Sequence, residues 1–147
     1  RDMSVSRNNH GHLKISLLDA SGYRHTRSVA LLVAEAFVEA PNPFCNNLIL
    51  LDGNLENVAA YNIMWRPRGF AWEYTHQLKK PQPMHYKNLA VMNLLSEIEY
   101  VCIIQAGMSE GLLFDDIWRS TYQGMKVFPT GARFIVTERD IEYMVAR

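Results

Sequence analysis

The apolar run Leu48-Ile49-Leu50-Leu51 stops abruptly at Asp52-Gly53, and Tyr61-Asn62-Ile63-Met64-Trp65 follows a few residues later. Four apolar residues bounded by turn chemistry are too few for a helix and read as a buried strand. Asp-Gly reverses the chain because glycine accepts positive φ and aspartate bonds its own backbone. A strand, a tight turn and a return from Val58 to Trp65 therefore anchor this region, and the rest of the chain is arranged around it.

Upstream, Leu13, Ile15 and Leu17 alternate with His12, Lys14 and Ser16, the period of a half-buried strand. Asp19-Ala20-Ser21-Gly22 turns it into a return strand, Tyr23 to Val29, with Arg24 and Arg27 on its face. Residues 1–11 are polar, with a turn at Asn8-Asn9-His10-Gly11. Ala30 to Ala40 carries Leu32, Val33, Ala36 and Phe37 at helical spacing and is stopped by Pro41. Beyond Trp65, Pro67 can start a helix, expected over Gly69 to Lys80, with Phe70, Trp72 and Tyr74 as core and cap. The prolines of Lys79-Lys80-Pro81-Gln82-Pro83 mark a linker, 81–87, between a first domain, 1–80, and a second, 88–147.

In that second domain Leu89, Met92, Leu95, Ile98, Val101 and Cys102 suggest a helix from Asn88 to Gln105, broken by Gly107. Ser109-Glu110 opens another, with Leu112, Leu113, Ile117 and Trp118 apolar. A helix, a glycine-containing turn and a second helix is the helix-turn-helix order. Phe128-Pro129-Thr130-Gly131 reads as a turn, Arg133 to Val136 as a short strand, and Thr137-Glu138-Arg139-Asp140 as a capping box opening a last helix through Met144. The expected class is α+β, with a mainly helical second domain.

A chain of 147 residues, 48% hydrophobic, can bury a real core, and zero net charge with 20% charged residues excludes a disordered chain. Zero net charge also excludes a nucleic-acid binder driven by overall charge, so DNA contact must come from local patches. The charge is in fact sorted. Residues 1–90 hold 10 Lys/Arg against 7 Asp/Glu, and residues 91–147 hold 5 against 8. Within 66–87, Arg66, Arg68, Lys79, Lys80 and Lys87 meet a single acid, Glu73. In the second domain Arg119, Ser120, Gln123 and Lys126 are the candidate DNA contacts, while Asp115 and Asp116 on the same helix repel phosphates unless they face away. Cys45 and Cys102 stand in no metal-binding spacing and read as buried small hydrophobes of a reducing compartment. No run reaches the ~18 apolar residues of a membrane span and no signal-peptide pattern opens the chain, so a cytoplasmic location and no membrane partner are expected. The chain opens on Arg1 rather than Met, which leaves room for an upstream piece.

Three blocks carry a family resemblance: Val29-Ala30-Leu31-Leu32-Val33-Ala34-Glu35-Ala36-Phe37, Ile49-Leu50-Leu51-Asp52-Gly53-Asn54-Leu55-Glu56-Asn57, and Asn62-Ile63-Met64-Trp65. In order, they resemble the core of the HNH endonucleases of phages and mobile introns, which runs V-H-R-L-V-A-E-A-F, then N-H-I-D-G-N-K-x-N-N, then N-L-E-W. The resemblance implies a small zinc-finger-like ββα-metal unit preceded by a β-hairpin and a helix. It also implies what the chain lacks. Leu50 stands where the family has its general-base His, Ile49 where it has an Asp or Asn metal ligand, and Ala71 where it has the second ligand. Ala30 replaces a further His, with Leu31 after it. Only Asn62 of the catalytic set is retained. Loss of a positioned base costs about 10²–10⁴-fold in rate, and loss of the ion removes the Lewis acid. The implied state is a nuclease frame without its chemistry, without metal or other cofactor. Ala106-Gly107-Met108-Ser109, Ile117-Trp118-Arg119-Ser120 and Gly124-Met125-Lys126 are similar to the helix-turn-helix unit that phage members carry after the core.

The function expected from these readings is binding of double-stranded DNA without cutting it, as a regulator or accessory factor. The basic residues of 66–87 and the second-domain contacts would carry it. The alternative is an interaction protein for a phage or host partner, anchored by Leu112, Leu113, Phe114, Trp118 and Tyr122. A third reading, an active nicking enzyme, needs a relocated metal site using His76 with Asp52 or Glu73.

Overall fold

Alternation along residues 13–18 does build a strand, β2 (Leu13–Leu18), between β1 (Ser4–Arg7) and β3 (Arg24–Ser28). The three form an antiparallel sheet in the order β1-β2-β3, with Ser6 opposite Lys14 and Leu18 opposite Arg24. The structure is a computed structural model describing residues 4–8 and 11–137, so Asn9 and His10 of the first turn, and the last helix expected through Met144, lie outside the described residues. The β2–β3 turn is made by Asp19, whose carboxylate accepts the N–H groups of Ser21 and Tyr23, both at 2.9 Å, and pairs with His25 at 2.6 Å. The His25 and Ser21 side chains hold this carboxyl well below the usual carboxylate range.

Ser28 ends β3 and caps α1 (Val29–Phe37), its Oγ accepting the N–H of Leu31 at 3.2 Å. The helix stops short of Ala40. Val38 is extended, and its carbonyl accepts the Trp65 indole N–H at 2.8 Å. Ala30, Ala34 and Ile63 form the core here, with Val33, Leu48, Leu50, Val58 and Trp65 packed around them. β4 (Asn47–Leu50) and β5 (Ile63–Arg66) pair antiparallel, Ile49 opposite Met64, and α2 (Arg68–Gln77) follows. Tyr74 of α2 is fully buried and donates its hydroxyl to the Leu51 carbonyl at 2.7 Å. Phe70 is buried too, but Trp72 is exposed.

The chain divides into two compact units between Thr75 and His76, within α2 rather than at 81–87. The second unit contains α3 (His85–Asn88), β6 (Val91–Asn93), β7 (Ile98–Tyr100), α4 (Ile103–Glu110), α5 (Phe114–Gln123) and β8 (Phe134–Val136). Its proline-rich stretch leads straight into packed structure, since Tyr86 is buried and donates to Asp115 at 2.6 Å.

The expected helix from Asn88 to Gln105 does not form. Residues 91–100 are a hairpin, and the strands pair in the order β7-β6-β8, so this unit is α+β rather than mainly helical. The reversal is built by Asn93, whose Oδ1 accepts the N–H groups of Leu95 and Ser96 while its carbonyl takes that of Glu97. Such local bonding competes with helix. Gly107 does not break a helix either. It lies inside α4, and the chain turns at Gly111, in the left-handed region at φ 69°. Cys45 is buried as expected, whereas Cys102 is half-buried and caps α4, its sulfur accepting the Gln105 N–H at 3.4 Å.

Val91, Ile103, Leu112, Phe114, Ile117 and Phe134 centre the second core. Gln77 is buried against the α4–α5 turn, donating to the Leu112 carbonyl at 3.0 Å and accepting the Phe114 N–H at 2.8 Å. It thereby caps α5, whose N-cap Leu113 has no side-chain acceptor. No described helix is long and apolar enough to cross a membrane.

Candidate nucleic-acid interface

The β4–β5 connection is closed by Asn62, at the end of the short 3-10 turn Ala60–Asn62. Its Nδ2 donates to Asp52 Oδ1 and to the Asn57 carbonyl, both at 2.9 Å, and its Oδ1 accepts the Asp52 N–H at 3.1 Å. Asn62 thus works as a staple of the loop, its amide oxygen and nitrogen both bonded within it. Asp52 also accepts the Asn54 N–H and the Asn57 side chain. Burial pushes the Asp52 carboxyl up, but these hydrogen bonds outweigh it and leave the carboxyl below its ordinary value. A depressed folded pKa stabilises above the unfolded value, about 3.9, and that stability is lost as pH falls through the folded value. Loosening of residues 52–57 is therefore expected below about pH 4, read by amide exchange, and Asp52→Asn should flatten the dependence.

Beside the staple, Ile49 and Ala71 are buried and Leu50 is half-buried in the apolar core. None offers a nitrogen or oxygen side-chain donor, so these positions do not fit a metal ion or a proton acceptor. Among the described residues no group of three or more His, Cys, Asp or Glu side chains could hold a metal ion, including any built on Asp52 or Glu73 or on His76.

The β1–β3 sheet sorts its charges by face. Because side chains alternate across a strand, the register puts Ser6, Lys14, Ser16, Leu18, Arg24, Thr26 and Ser28 on one face and Val5, Arg7, Leu13, Ile15, Leu17, His25 and Arg27 on the other. Among the described residues, every ion pair of the sheet belongs to the second face: Arg7 with Glu56, Arg27 with Glu35 at 2.9 Å, and His25 with Asp19. The first face carries two cations, hydroxyls and the exposed Leu18, without a carboxylate, and among the described residues neither Lys14 nor Arg24 has an ion pair. The expectation that Arg24 and Arg27 share a face is overturned by the same arithmetic, since they stand three positions apart. Lys14 was missed as a site residue because only the paired register, not the strand alone, shows which neighbours it keeps.

Of the first-unit cations on the β5–α2 side, Arg68 is exposed but Arg66 is not. Arg66 is 5% exposed, donates to the Trp65 carbonyl at 2.8 Å and to Met64 Sδ at 3.3 Å, and lies over the Phe70 ring at 5.7 Å. Burial pushes its pKa down. A guanidinium spent on these partners cannot reach a phosphate, so Arg66 is a structural residue and not a DNA contact.

In the second unit Lys79, Lys80, Lys87, Arg119, Gln123 and Lys126 are all exposed. Ser120 is 2% exposed, donates to the Met125 carbonyl at 2.6 Å and accepts the Phe134 N–H at 3.0 Å, which removes it from the contact set. The two aspartates of α5 are engaged internally, Asp115 by Tyr86 and Asp116 by Arg119 at 3.0 Å. Of the expected protein-binding anchors, Leu112 and Phe114 are buried, Leu113 and Trp118 half-buried, and Tyr122 exposed.

No family model matches the chain, and no curated protein matches it. A solved structure described as "DNA binding and cleavage by the HNH homing endonuclease I-HmuI" is similar, at 20% sequence identity and a TM-score of 0.46, over 92% of this chain and 82% of that one.

Proposed function

We propose that the chain binds double-stranded DNA without cutting it, as a regulator or accessory factor derived from an HNH frame. The observation that carries this reading is the sorted sheet. A face of Lys14, Arg24 and hydroxyls with one exposed leucine, Leu18, cleared of carboxylates while the opposite face neutralises its cations, suits a phosphate backbone and groove edges. In the second unit, α4, a three-residue turn and α5 keep the helix-turn-helix order, with Arg119, Gln123 and Lys126 exposed along and just beyond the second helix. Lack of cleavage follows from chemistry: leucine, isoleucine and alanine at the base and ligand positions of the resembling family can neither take a proton nor hold an ion.

A duplex titration at about 50 and 200 mM salt tests this, with a Mg²⁺ or Mn²⁺ cleavage lane alongside. Retention should fall steeply with salt, and Lys14→Ala/Arg24→Ala should reduce the log–log slope by about 1–2. Arg66→Ala should instead lower stability with the slope unchanged. No retention at either salt would sink the DNA reading, and divalent-dependent nicking would sink the inactive one.

A further inference from the structure

β7 is the outer strand of its sheet, paired to β6 on one side and to no described strand on the other. Alternate N–H and C=O groups of an edge strand point outward, ready to pair with another chain. Apolar side chains are exposed along and beside this edge. Ile98 of β7 is 51% exposed, and Leu95 in the preceding turn and Val101 just after the strand are 71% and 70% exposed. Among these stand Glu97 and Glu99, both exposed, with no ion pair among the described residues.

A second copy of the chain is a poor occupant. Antiparallel pairing of β7 with itself about its middle residue sets Glu99 against Glu99, and like charges directly opposite are destabilising. A strand bearing Lys or Arg at alternate positions turns the same geometry into attraction on the Glu99 face, while its intervening apolar side chains cover Ile98 on the other face.

We propose that β7 is a docking edge for an extended, basic–apolar segment of a partner protein, which adds a strand to the second unit's sheet. The edge belongs to the second unit and the cationic sheet face to the first, and their tests read different ligands, so either proposal can fail alone.

Fluorescence anisotropy with a labelled hexapeptide of alternating Lys and Val tests it, against a Glu/Val counterpart and a backbone N-methylated Lys/Val version. The Lys/Val peptide should bind and slow amide exchange at Glu99. Glu97→Lys/Glu99→Lys should weaken binding by about tenfold or more. Glu97→Gly should weaken it less, and should melt no lower than the parent because position 97 has φ 63°. The N-methylated peptide should not bind. Absence of binding, equal binding of the Lys/Val and Glu/Val peptides, binding of the N-methylated form, or dimerisation of the chain through residues 98–101 would each overturn the proposal.

Discussion

Asn62→Ala is expected to destabilise the first unit by about 2–4 kcal/mol, the sum of the partners it would orphan. Its amide answers three groups at once: the Asp52 N–H, the Asp52 carboxylate and the Asn57 carbonyl. Water can reach Asp52, which is exposed, so its carboxylate will be resatisfied cheaply. The two backbone groups are less accessible, and each costs about 1–3 kcal/mol when left without a partner. Urea unfolding followed through Trp65 measures the loss. Asn62→Asp keeps the acceptor but faces Asp52 with a second carboxylate, and should be no better than alanine. A loss below about 0.5 kcal/mol for the alanine variant would mean the loop is held by something else.

Gly107→Ala carries the other large effect, and its sign is a contest. Alanine in a helix interior is favoured over glycine by about 1 kcal/mol. Against that, a Cβ at position 107 would sit 2.4 and 2.5 Å from Phe114 ring carbons and 3.0 Å from the Leu112 carbonyl oxygen. The ring is buried at the centre of the second core, so it cannot swing away without opening that core. Overpacking of this kind costs about 1–3 kcal/mol, which less the helix gain leaves a net loss of about 0–2 kcal/mol by thermal or urea unfolding; the ring contacts at 2.4 and 2.5 Å favour the upper end. Phe114→Leu makes room, and the alanine penalty should shrink in that background; an unchanged penalty would place the strain elsewhere.

Where local pattern and turn chemistry agreed, the fold was legible. Leu13, Ile15 and Leu17 alternate, Asp19 and Asp52 head turns, and α1, β4, β5 and α2 form within a few residues of where the sequence puts them. Residues 88–105 misled because apolar residues at 89, 92, 95, 98, 101 and 102 imitate a helical stripe. One asparagine side chain, bonding two backbone N–H groups, decides for a hairpin, and that choice is invisible to periodicity. Gly107 misled for a related reason: glycine reads as a breaker, but here its missing Cβ lets a ring from the next helix approach. The candidate site was less legible than the fold. Arg66 and Ser120 look like surface contacts in sequence and are buried by partners brought from the same neighbourhood of the fold. The face-sorting of the first sheet needs register, which no single strand reveals.

The bidentate amide of Gln77 has a consequence for where the chain can be cut. It closes the α4–α5 turn from more than thirty positions upstream and supplies the acceptor that the first N–H of α5 otherwise lacks. A fragment excised at the prolines, beginning at Pro81, would contain both helices and the whole sheet yet leave the Leu112 carbonyl and the Phe114 N–H without their partner. Autonomy of the second unit thus begins before its apparent linker, and a boundary drawn by composition alone would remove the latch while keeping the door.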